Sequence, residues 1–162
     1  MRKLGSIAAL VALFALSAVP VSAATGGGGG GGSGGVTIGI TKVTLQAKLL
    51  VTVAFDVVCS PVPSPVNPGG VTAATYGASV TVDQAVGKTI AHAAGGDTMP
   101  SSQPLTCDGT TVNHVSISAL SSTVPFKAKT NAVIGVSVTT YDPACEFCGG
   151  EGSATIQVVT KL

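Results

Sequence analysis

From Val36 onward, apolar side chains recur at every second position in short runs separated by turn signals, and nowhere do they recur every three or four over three turns. A chain with that pattern can bury a face only as β-strands. Leu49, Val51, Val53, Phe55, Val57 and Cys59 alternate with Leu50, Thr52, Ala54, Asp56 and Val58, which predicts a strand with one buried face. Tyr76, Ala78, Val80 and Val82 mark another inward face, as do Ala132, Ile134, Val136 and Val138, and then Ala154, Ile156 and Val158. Val36–Ala47 reads as one or two short strands and Gly87–His92 as a shorter one. Leu105 and Cys107 enter a brief strand, Asp108-Gly109 supplies a turn, and Val115 and Ile117 follow. Ser60–Gly70 holds four prolines, each without an N–H for a ladder, and is predicted to be a loop. Ala93–Pro104 reads as a second, polar loop. Seven or eight strands with no helix between them predict an antiparallel immunoglobulin-like sandwich over residues 36–162. The chain has no Trp, so the buried Trp usual in such sandwiches is missing; a jelly roll or small barrel is the alternative.

The first 35 residues follow a different logic. Arg2 and Lys3 precede an uncharged stretch to Ala18, Pro20 breaks it, and Val21-Ser22-Ala23 offers small side chains to a peptidase. Residues 1–23 are therefore read as a signal peptide, and the domain as secreted or extracytoplasmic. Residues 24–35 are almost all glycine, which reads as a flexible tail. No later segment reads as membrane-spanning, so a membrane enters only if the leader is retained.

After residue 23 the chain has six Lys, seven acids and no Arg. With that balance the chain supplies no basic patch for phosphates, and nucleic acid is excluded as a partner on that ground. No run of alternating Asp or Asn suggests calcium, no G-x-S-x-G elbow suggests a hydrolase, and no cofactor is implied.

Four cysteines in an exported chain are read as paired. Cys59 and Cys107 both continue the inward face of a strand and are expected to bridge. Cys145 and Cys148, three apart, are expected to bridge locally. A redox role for the second pair is read against, because Gly149, Gly150, Glu151 and Gly152 can neither start a helix nor lower a thiol pKa. Zinc through Cys145, Cys148, His92 and His114 is read against on its irregular spacing. Both histidines are expected to be structural or at the surface.

The VTVAFDVVC strand ending at Cys59, the segment Val80–Ile90, the Cys-Asp-Gly turn at Cys107, and the stretch Pro125–Val138 together resemble a family of small secreted bacterial immunoglobulin-like domains of unknown function. The resemblance implies the sandwich and the Cys59–Cys107 bridge, and it implies no activity.

The expected function is non-enzymatic, structural or binding an extracellular protein or glycan. A secreted hydrolase or hydrolase inhibitor is the alternative, with a thiol oxidoreductase behind it. The candidate binding residues are Phe147, between the paired cysteines, and the acids around it, Asp142, Glu146 and Glu151. The loops Ser60–Gly70 and Asp142–Gly152 are expected to emerge together at one end of the sandwich.

Overall fold

The computed structural model describes residues 35–97, 104–145 and 152–162; the predicted leader and nearly all of the glycine tail lie outside them. Eight strands make up the fold: β1 (Val36–Ala47), β2 (Leu50–Cys59), β3 (Ala73–Val86), β4 (Thr89–Asp97), β5 (Leu105–Thr106), β6 (Asn113–Ser121), β7 (Asn131–Tyr141) and β8 (Gly152–Lys161). Every pairing is antiparallel, and among the described residues there is no helix.

The alternation in the sequence is the alternation in the fold. Val51, Val53, Phe55, Val57 and Cys59 of β2 are all buried, while the residues between them are half-exposed. Val80 and Val82 of β3, Ile134, Val136 and Val138 of β7, and Ile156 of β8 meet them in one core. Because side chains on a strand point alternately to opposite faces, one set of apolar residues fills this interior and the Thr and Ser between them cover the outside. Cys59 and Cys107 are joined across it, both buried, closing a loop of 48 residues.

The strand order is β1-β2-β6-β4-β3-β7-β8, with the two-residue β5 paired to the start of β3. The sheet nearly closes, since β1 and β8 approach each other at its two edges without forming a ladder. One joint in it is narrow. β4 pairs with β3 from Thr89 to Asp97 but with β6 only through Ala93–Ser121 and Ala94–Leu120.

At this joint the structure departs from the sequence reading. The segment expected to be loop from Ala93 onward continues β4 to Asp97. Gly95, one of the residues of that expected loop, serves close approach within the strand. A Cβ at Gly95 would lie 2.9 Å from the backbone carbonyl carbon of Ser118 on β6 and closer still to its oxygen. Since the obstacle is backbone, it cannot rotate away. Gly95→Ala is expected to cost about 2–3 kcal/mol by forcing β4 off β6. A urea midpoint within about 0.5 kcal/mol of wild type would show that the joint has room after all.

The antiparallel order gives the molecule two ends. Val36, Cys59, Ala73, Asn113, Tyr141 and Gly152 lie at the disulfide end. The β1–β2 turn, the β3–β4 turn, the β6–β7 loop and the end of β8 lie at the far end. A buried glutamine holds the far end together. Gln84 has the inward parity of β3, and its Nε2 donates to the carbonyls of Lys127 (2.9 Å) and Thr130 (3.1 Å). Its Oε1 accepts the N–H of Lys127 at 2.6 Å. The same loop is tied to β1–β2 by the Phe126 N–H on the Lys48 carbonyl (2.7 Å), and to Leu162 by the N–H of Lys129.

Candidate functional site

The Pro-rich loop leaves β2 at the disulfide end, and it is more ordered than its composition suggests. Val62 and Val71 exchange backbone hydrogen bonds of 2.9 and 2.8 Å, and Val62 is fully buried, so the loop is pinned by its own neck. Beyond the neck, Ser64 Oγ accepts the N–H groups of Val66 (3.3 Å) and Asn67 (3.2 Å). Asn67 Oδ1 accepts the Gly69 N–H at 3.2 Å, while its Nδ2 donates to the Gly70 carbonyl at 2.8 Å. These are the side-chain turns that Ser and Asn make with their own backbone. Gly70 sits at φ 76°, and a Cβ there would lie 2.9 Å from the Val62 carbonyl oxygen, so the return to the neck requires glycine. At the tip of this stiff loop stands Val66, 71% exposed.

A second loop lies beside it. Gly109 donates its N–H to the Cys59 carbonyl at 2.8 Å, so β5 and the turn after it are bound to the end of β2 by a hydrogen bond and by the disulfide. Asn113 accepts the Thr106 N–H (2.8 Å) and donates to the Thr106 and Val57 carbonyls (3.0 and 3.1 Å), joining β5, β6 and β2. Asp108 closes the turn by accepting the hydroxyl and N–H of Thr111 and the N–H of Thr110. Those donors favour the ionised form and hold its carboxyl well below the ordinary carboxylate range. The end therefore presents two braced loops, with Val66 and the half-exposed Val112 as its apolar points.

The expectation that Ser60–Gly70 and Asp142–Gly152 share an end takes β2 and β7 as neighbours. They are not neighbours in the sheet, but they run in the same direction and both finish at this end. Asp142, one of the candidate binding acids, is itself buried. Its Oδ1 accepts the Ala144 N–H at 2.8 Å and its carbonyl accepts the Cys145 N–H at 3.1 Å, so it organises the turn after β7. Cys145 is disulfide-bonded; Cys148, its expected partner, lies outside the described residues, as do Glu146, Phe147 and Glu151. Val66 was not singled out from the sequence. The signal was there: a large apolar residue flanked by Pro65 and Asn67, with no strand parity to bury it.

The two histidines are both paired across strands. His92 of β4 stands opposite Asp83 of β3, and His114 of β6 opposite Asp56 of β2, each with Nδ1 at 2.6 Å from a carboxylate oxygen. A general base would be oriented in this way. No Ser, Thr or Cys side chain completes either pair as a nucleophile among the described residues, and no group of three metal-binding side chains occurs among them. A histidine ring facing a carboxylate across neighbouring strands on the outward sheet surface accounts for both pairs.

No family model matches the chain, and no curated protein or solved structure resembles it at a significant level.

Proposed function

We propose that the chain is an exported, non-enzymatic binding domain with an immunoglobulin-like sandwich fold, and that it recognises an extracellular protein or glycan through the loops at its disulfide end. The strand order supports the fold reading. It separates at the narrow β4–β6 joint into β1-β2-β6 and β4-β3-β7-β8, and a sandwich of this type divides its strands in that manner between two facing sheets. The buried Cys59–Cys107 bridge is consistent with an oxidising compartment outside the cytoplasm.

The observation that carries the binding reading is the stiffness of residues 60–71 combined with the exposure of Val66. An apolar tip on a loop with prolines and internal hydrogen bonds loses little entropy when a partner covers it. Loops at one end of a rigid sheet scaffold are where such domains carry recognition. Val66→Ser is expected to lower retention of the native partner about tenfold, as loss of roughly 1–2 kcal/mol would do, with the melting temperature unchanged. The measurement is quantitative mass spectrometry of what the immobilised protein retains from native culture medium. Equal retention by wild type and variant would remove the loop from the interface.

A further inference from the structure

The far end of the molecule carries a second surface, distinct from the loops at the disulfide end. Six lysines follow residue 23, scattered through the sequence, and the fold gathers five of them at this end. Lys48 lies in the β1–β2 turn, Lys88 in the β3–β4 turn, Lys127 and Lys129 in the β6–β7 loop, and Lys161 at the end of β8; all are exposed. None makes an ion pair among the described residues, and the one acidic side chain near them, Asp83, is hydrogen-bonded to His92. Most of the acids lie toward the other end, at Asp56, Asp97, Asp108 and Asp142.

Exposed aliphatic residues are concentrated in the same place. Leu49 follows Lys48 in its turn, Ile90 is the second residue of β4, Leu120 the last but one of β6, and Val133 and Val159 face one another on β7 and β8. These five are 39% to 66% exposed and form no part of the core. Between Lys48 and Lys127 a shallow cleft of about 600 Å³ opens, with Leu45, Val86 and Phe126 in its walls.

We infer that this end docks on a membrane surface rich in anionic phospholipid. Lysines on three separate turns and a strand end, all at one end of a rigid sheet, suit a plane of negative charge better than a single chain lying in a groove. Lysine beside exposed aliphatic side chains is the composition that an interfacial surface uses, with the charge among headgroups and the apolar atoms just below. The cleft between Lys48 and Lys127 can admit one phosphate headgroup. Among the described residues no helix is long and apolar enough to cross a membrane. The lysines, which by charge balance supply no basic patch, form one only when the strands are paired.

Each lysine near an anionic leaflet is worth about fivefold in partitioning. The purified protein is expected to co-sediment with vesicles of phosphatidylcholine containing roughly 30% phosphatidylglycerol, to ignore vesicles of phosphatidylcholine alone, and to be released by about 1 M salt. The combined variant Lys48→Gln, Lys88→Gln, Lys127→Gln should bind the anionic vesicles roughly 100-fold more weakly with an unchanged melting temperature. Lys42→Gln, at the one lysine in mid-strand, and Val66→Ser should bind as wild type, which keeps this surface separate from the loop site. Unaltered binding by the triple variant, or equal binding to neutral vesicles, would overturn the inference. So would capture by soluble polyphosphate without vesicle binding, which would assign the lysines to a free polyanion.

Discussion

Replacing both Cys59 and Cys107 with Ala is expected to destabilise the domain by about 4 kcal/mol, enough to leave much of the chain unfolded at about 37 °C. The bridge closes a loop of 48 residues, and in the chain-entropy account the stabilisation comes from the freedom that this link removes from the unfolded chain. The folded state would suffer as well. Both sulfurs are buried, and the bridge is the covalent tie between the end of β2 and the turn after β5, which is otherwise held by hydrogen bonds from Gly109, Cys107 and Asn113 and by a two-residue pairing with β3. Urea unfolding of the double variant beside wild type measures the loss. Amide exchange should show the earliest added opening at residues 105–112. A loss below about 1 kcal/mol would mean that the two loops hold their places without the bridge.

Gln84 is expected to matter nearly as much, although nothing in its chemistry advertises it. Gln84→Leu keeps the volume but removes three hydrogen bonds, stranding the carbonyl and N–H of Lys127 and leaving the Thr130 carbonyl with the Leu162 N–H alone. Buried backbone groups left without partners cost about 1–3 kcal/mol each, and partial rearrangement of the loop would recover some of that, so about 3 kcal/mol is expected. Gln84→Glu should be worse. A carboxylate would set negative oxygen against two carbonyl oxygens that the amide nitrogen now serves, in a site with no access to water. The ordering wild type, Leu, Glu in denaturant midpoint, together with faster amide exchange at Lys127, is the signature. If the Leu and Glu variants unfolded together within about 0.5 kcal/mol of wild type, the glutamine would be filling space and nothing more.

These two residues show how unevenly the sequence discloses its fold. Cys59 could be placed because it extends a run of alternating apolar residues, and parity along a strand is a property of the strand alone. Gln84 obeys the same parity after Val80 and Val82, yet a polar residue there reads as the end of the buried face. Its partners are more than 40 residues away in a loop whose position depends on β6 and β7. The loop expected from Ala93 to Pro104 misplaces its first residues in the opposite sense. Gly95 lies within β4, where β6 passes too close for a side chain. Asp142 is a candidate for binding only because it lies near Phe147 in sequence; it is buried, and its carboxylate accepts a backbone N–H in the turn it begins.

The sequence by itself determined that the domain is all β, where most strands run, which face of each is buried, and that Cys59 would meet Cys107. Those properties follow from alternation at period two and from side-chain chemistry, both local to each segment. Only the tertiary structure decided which strand lies beside which, how nearly the sheet closes, and what each end of the molecule presents. Strand neighbours are chosen by pairing between segments tens of residues apart, and the alternation is the same whichever neighbour is chosen. The five lysines at the far end are the clearest case. Their separation along the chain says nothing of proximity, and they come together because turns at alternate ends of antiparallel strands must share an end.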